Sequence, residues 1–183
     1  MFQHSLWLRL QQLLAANQAL LFLIALAILG RLLPHPDNIT PLTAIGLFAG
    51  AYLDKRLFLI VPITAALISD LLGPGFYNLT IMLFVYIGFG LSALLSRALL
   101  FGNGKLSRLP ATVLLSALCF YLVSNLGAWW VYYEHSLSGL ISCYVNGLPY
   151  LGRSLAGDLS YALAFFGMYE CVLLSQYRRS LRA

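Results

Sequence analysis

An all-α, polytopic membrane protein with six transmembrane helices is the fold class this sequence predicts, on three observations. Only 9% of the 183 residues are charged, against about 25% in an ordinary soluble domain. Hydrophobic residues make up 61% and the mean hydropathy is +0.84, so folding around one core in water would leave large apolar patches exposed. Long apolar runs alternate with short turn-like breaks, and a spanning helix needs about 20 apolar residues. Six such helices with short loops fill the chain and leave no room for a separate soluble domain. Disorder, collagen, a coiled coil and a disulfide-rich secreted fold are excluded, the last because Cys119, Cys143 and Cys171 are few, odd in number and mostly inside apolar runs.

At the start, Phe2, Leu6, Leu10, Leu13 and Leu14 recur at helical spacing with Gln residues and Arg9 between them, predicting an interfacial amphipathic segment over 1–18. The first span follows at 19–33. Ala25-Leu26-Ala27 imitates a signal-cleavage site, but the apolar run continues through it, which favours a span. Thr40-Pro41 reads as an N-cap and first-turn proline, opening a span at 41–53 that Asp54-Lys55-Arg56 separates from the next at 57–72. Both are short for a hydrocarbon core about 30 Å thick, so a single broken span is the rival reading. Gly73-Pro74-Gly75 and Gly102-Asn103-Gly104 punctuate the spans 79–100 and 109–132. A long outer segment at 132–153, a sixth span at 154–176 and a basic tail at 177–183 complete the 19–176 transmembrane domain and its flank.

Charge chooses between five spans and six. Six place Arg9, Lys55, Arg56, Arg97, Lys105, Arg108, Arg178, Arg179 and Arg182 on one side and leave Arg31 and Arg153 on the other. The positive-inside rule then puts both termini in the cytoplasm. A single span over 41–72 would bury Lys55 and Arg56 in mid-bilayer and split the remaining cations. The basic balance is thus explained by orientation in a bacterial cytoplasmic membrane, and no basic patch is left for nucleic acid.

Other polar residues gather on the cation-poor outer side: His35, Asp37 and Asn38 after the first span, and Asp70, Tyr77 and Asn78 around the next outer turn. The 132–153 segment holds Glu134, His135, Cys143, Tyr144, Asn146 and Tyr150, and is apolar enough to lie back on the membrane as a lid. Loops longer than about 12–15 residues in compact proteins are usually functional or disordered, and this one lacks a disordered composition. Asp70, Asn125 and Asp158 fall within or at the edges of spans on the outer half. Ionisable groups at such depth normally face a cavity or a partner. Each also has a structural reading: Asp70 as an interface marker, Asn125 as a bond between helices, Asp158 as complement to a helix dipole. Arg31 and Arg153, the outer cations, would pair with an acid or receive an anionic ligand group, and the sequence leaves both open. Gly46 and Gly50, with Ser92 and Ser96, have the spacing that lets membrane helices approach closely.

No nucleotide-binding loop, dinucleotide fingerprint, HExxH or CxxC occurs, so any energy source is expected from elsewhere, and neither a cofactor nor a metal site is expected. Two further readings compete: a membrane enzyme acting on a bound cofactor through Cys143 and the outer histidines, and a structural subunit whose polar residues only join helices.

The stretch Arg31-Leu32-Leu33-Pro34-His35-Pro36-Asp37-Asn38-Ile39-Thr40-Pro41, with Ala49-Gly50-Ala51-Tyr52, Ser69-Asp70, Ser124-Asn125-Leu126-Gly127-Ala128-Trp129, Cys143-Tyr144, Leu148-Pro149-Tyr150 and Gly157-Asp158-Leu159, resembles a family of small bacterial membrane proteins of unassigned function. That family is similar to the substrate-binding (S) components of energy-coupling-factor (ECF) vitamin transporters. The resemblance implies six helices, an outward-facing pocket for a small vitamin or cofactor-like solute, and a separate ATPase-containing module as partner. With the reading of the residues, it gives an expected ligand site of Arg31, His35, Asp37, Asn38, Asp70, Asn125, Arg153 and Asp158. Tyr77, Trp129, Tyr144 and Tyr150 are expected to supply its apolar faces.

Overall fold

Apolar stretches broken by turn residues become helices in the computed structural model, which describes residues 22, 24–34, 36, 38–73, 75–102 and 106–180, without the side chains of 106 and 172–180. Six α-helices form among these residues: α1 at 24–32, α2 Leu42–Tyr52, α3 Ile60–Leu72, α4 Leu79–Leu100, α5 Leu109–Tyr132 and α6 Leu137–Ser180. No strand occurs among the described residues. Among these, α4 and α5 are the two helices both long and apolar enough to cross a bilayer. With 11 and 13 residues, α2 and α3 extend only about 16 and 20 Å.

Local chemistry sets the boundaries. Asp54 holds a turn by accepting from the backbone of Arg56 through its side chain (2.9 Å) and from Leu57 through its carbonyl (2.9 Å), so α3 begins at Ile60, three residues after the expected 57. Asn78 caps α4, its side chain accepting from the N–H groups of Thr80 (3.0 Å) and Ile81 (3.3 Å). Ser136 caps α6 through the N–H of Gly139 at 3.1 Å. The expected boundary between an outer lid and a sixth span at 153/154 is absent: α6 runs unbroken over 44 residues with Pro149 inside it. Gly139, Gly147 and Pro149 give the segment a loop-like composition, yet Pro149 is exposed and the flanking turns carry the helix past its missing N–H. The same helix takes in 177–180 of the expected tail; the interfacial segment 1–18, the loop 103–105 and 181–183 lie outside the described residues.

The bundle is wrapped around α2, of which 42–51 are all buried. A Cβ on Gly50 would run into Ala93 O, Ser96 Cβ and Arg97 N of α4, and one on Gly46 into Phe89 O. Ser96 Oγ donates to Leu47 O across this seam. The small residues of α2 and α4 thus serve internal packing, one helix backbone lying against the next. Between α4 and α5 the contact is reciprocal: Gly88 receives Phe120 and Gly127 receives Phe84.

Contacts at the helix ends fix an up-and-down order. At one end, Gly30 of α1 touches Pro41 before α2, and Leu32 touches Gly73 after α3. At the other, Arg97 near the end of α4 donates to Leu53 O after α2 (2.7 Å), and Tyr52 donates to Glu170 of α6 (3.1 Å). Lys55, Arg56, Arg97 and Arg108 therefore share the second end, while Arg31 and Arg153 lie toward the first.

Candidate functional site

Side chains at helical spacing on three helices face one hollow of about 910 Å³ at the cation-poor end. From α4 come Ile81, Val85 and Phe89; from α5, Phe120, Ser124, Ala128 and Tyr132, with Asn125 beside them; from α6, Asn146, Tyr150 and Ser154, with Cys143 and Gly147. Steps of four residues keep each set on one helix face. Arg31 of α1, Thr43 of α2 and the connecting residues Asn38, Thr40, Tyr77 and Tyr133 close the remaining sides. Phe89 and Phe120, stacked at 5.1 Å, form the deepest part, about 15 Å along α4 from its start.

Arg31 is the charged side chain of this lining among the described residues, and its charge is answered from behind. Its Nη2 lies 2.6 Å from Oδ1 of the fully buried Asp70, and its Nη1 donates to Ser69 Oγ (3.0 Å) and Ala66 O (3.4 Å). Tyr86 Oη donates to the other carboxylate oxygen of Asp70 at 2.7 Å. Burial, with the Asp70 carboxylate nearby, pushes the Tyr77 phenol above its ordinary pKa, so Tyr77 stays a protonated donor beside the same guanidinium.

On the opposite wall, Asn125 Nδ2 donates to Tyr121 O of its own helix (2.8 Å), while Cys143 Sγ donates to Asn125 O (3.3 Å). Gly147 lets α6 approach, since a Cβ there would strike the Asn125 amide. Cys143 is 2% exposed, and its thiol is engaged by the Asn125 carbonyl. A buried thiol that donates to a carbonyl is a poor nucleophile. Changing Cys143 to Ser is therefore expected to leave solute binding in place, measured by thermal shift; loss of a catalysed turnover in that variant would instead favour the enzyme reading.

Of the expected ligand residues, Arg31, Asn38, Tyr77, Asn125 and Tyr150 line the hollow. Asp70 stands one layer behind, through Arg31. Asp158 is buried at 3% exposure, near Thr43 in the first turn of α2, and its Oδ2 has no hydrogen-bond partner among the described residues. Because α6 is continuous, Asp158 lies within it and not in its first turn, so the expected pairing with its own helix dipole is not made. Three residues are turned to other work. Trp129 Nε1 donates to Glu134 O (3.0 Å) and, with Trp130 and His135, braces the α5–α6 turn. Tyr144 Oη donates to Leu122 O (2.7 Å) and its ring meets Tyr121. Arg153 lies over the Tyr150 ring at 5.7 Å, outside the lining. His35 and Asp37 lie outside the described residues. Thr40, Thr43, Ser124, Tyr132, Tyr133, Asn146 and Ser154 line the hollow without having been expected there. Among the described residues, no group of three or more His, Cys, Asp or Glu could hold a metal ion.

The sequence profile described as "Family of unknown function (DUF6580)" matches residues 11–181, and the chain belongs to that family. No curated protein and no solved structure matches it significantly.

Proposed function

We propose that this DUF6580 member is an integral membrane solute-binding protein of the S-component type, taking up a small vitamin or cofactor-like molecule through an outward-facing pocket. The observation that carries this reading is the hollow of about 910 Å³, within the range of about 300–1,000 Å³ usual for small-molecule sites. Amide and hydroxyl groups line it beside an apolar floor, which is the composition of a specific solute site. The six helices are read as six spans of a bacterial cytoplasmic membrane with both termini inside. The short α2 fits that reading because its neighbours bury it, so it has no need of a full-length lipid-facing surface. The hollow then opens to the outside, since Lys55, Arg56, Arg97 and Arg108 crowd the opposite end. Energy would come from a separate ATPase-containing module, consistent with a sequence that lacks a nucleotide-binding loop.

Mass spectrometry of small molecules retained by detergent-purified protein tests the reading. A retained molecule is expected in the wild type and in Arg153→Ala, which alters a residue outside the lining. Ala128→Trp, which fills the hollow, is expected to lose it. Retention that is unchanged in Ala128→Trp would remove the hollow from consideration.

A further inference from the structure

The hollow sets amide, hydroxyl and phenol groups beside an apolar floor, and among the described residues its lining offers no net charge for a ligand to answer. Its charged lining residue among those described, Arg31, is matched at 2.6 Å by Asp70, whose second oxygen is held by Tyr86. Arg153, the other cation toward this end among the described residues, lies over Tyr150 outside the lining. Asp158 is buried and likewise does not line the hollow. What remains are the amides of Asn38, Asn125 and Asn146, the hydroxyls of Thr40, Thr43, Ser124 and Ser154, and several phenols.

Hydroxyl and amide groups both donate and accept, so they match ring nitrogens, carbonyls, amides and sugar-like hydroxyls without demanding a charge. The stacked Phe89 and Phe120, with Ile81 and Val85 on the adjoining wall, offer an apolar face to a flat ring. An anion approaching Arg31 would have to compete with Asp70 and would be repelled by it. A cation drawn to Asp70 would meet Arg31 first. Moving a full charge out of water without a counter-ion is costly, whereas an uncharged polar group that finds a hydrogen-bond partner avoids most of its smaller penalty.

We infer that the ligand class of this site is an electrically neutral, flat molecule rich in hydrogen-bonding groups, and that the site rejects phosphorylated, carboxylated or ammonium-bearing relatives of it. The inference rests on the solute-binding reading above and narrows it.

The test uses detergent-purified full-length wild type. Thermal shift and native mass spectrometry compare matched probes that differ in charge: adenosine with its 5′-monophosphate, riboflavin with its 5′-phosphate, and biotinamide with biotin. In parallel, any molecule retained through purification is identified. The expected result is a retained molecule uncharged at neutral pH, or binding of a neutral probe that exceeds its charged partner by about tenfold or more, equivalent to about 1.4 kcal/mol. A retained phosphate, carboxylate or ammonium compound, or a charged probe that binds as well as its neutral partner, overturns the inference and leaves the solute-binding reading intact. No retained molecule together with no shift from any probe overturns both.

Discussion

Gly50→Val is expected to lower the melting temperature of the detergent-purified protein sharply, with a loss of about 3 kcal/mol or more, the upper part of the range for overpacking a filled interior. The reason lies in what surrounds the position. A single Cβ at Gly50 would meet the backbone oxygen of Ala93, the backbone nitrogen of Arg97 and the Cβ of Ser96, none of which is the far end of a flexible side chain. The helix cannot retreat, because 42–51 are buried on every side. Parting α2 from α4 would also break the bond from Ser96 Oγ to Leu47 O, worth about 1 kcal/mol. Replacing glycine within a helix normally gains up to about 1 kcal/mol, a term of opposite sign that is too small to offset the clash. Gly167→Ala isolates that smaller term, since nothing lies within 4 Å of a Cβ built there. It is expected to melt at or slightly above the wild-type temperature. A Gly50→Val protein that melts with the wild type would show that α2 and α4 do not meet as described.

The sequence carried the helices better than the site, for a physical reason. The limits of α4 and α5 were readable to the residue because they are long apolar runs bounded by a capping Asn78 and by glycine-rich breaks. The continuity of α6 was not, since glycine and proline within 137–153 have the composition of a loop and only packing against α5 shows that they remain helical. Asp70, Asn125 and Asp158 drew attention as costly groups in apolar surroundings, but cost does not tell a lining residue from one that supports it. Only Asn125 lines the hollow. A usable signal was present in the four-residue recurrences Ser124–Ala128–Tyr132 and Asn146–Tyr150–Ser154, which set hydroxyls and amides on one face of otherwise apolar helices. Trp129 and Tyr144 have the right chemistry and depth, yet each is engaged by a backbone carbonyl, and which way an aromatic side chain points on its helix is decided by its neighbours in space.

Asp70→Asn is expected to destabilise the protein by about 3–5 kcal/mol, the usual consequence of removing one partner of a buried ion pair. Asp70 is fully buried and Arg31 retains only 16% side-chain exposure, so a guanidinium deprived of this carboxylate cannot regain its hydration without withdrawing from Ser69 and Ala66 and loosening α1 from α3. Asparagine can still accept from Tyr86, so loss of that bond is not the main effect; loss of the carboxylate charge beside Arg31 is. The double variant Arg31→Gln/Asp70→Asn removes both charges while keeping two hydrogen-bonding amides of similar size. It is expected to recover a substantial part of the lost stability, giving a coupling of about 1–3 kcal/mol in a double-mutant cycle of thermal melts. The distinction matters for the hollow as well as the fold. Asp70→Asn leaves one positive charge in its wall, whereas the double variant restores a neutral wall with a different pair of groups. Additive losses in the cycle would mean that Arg31 and Asp70 do not act as a pair, and the neutrality of the site would lose its structural basis.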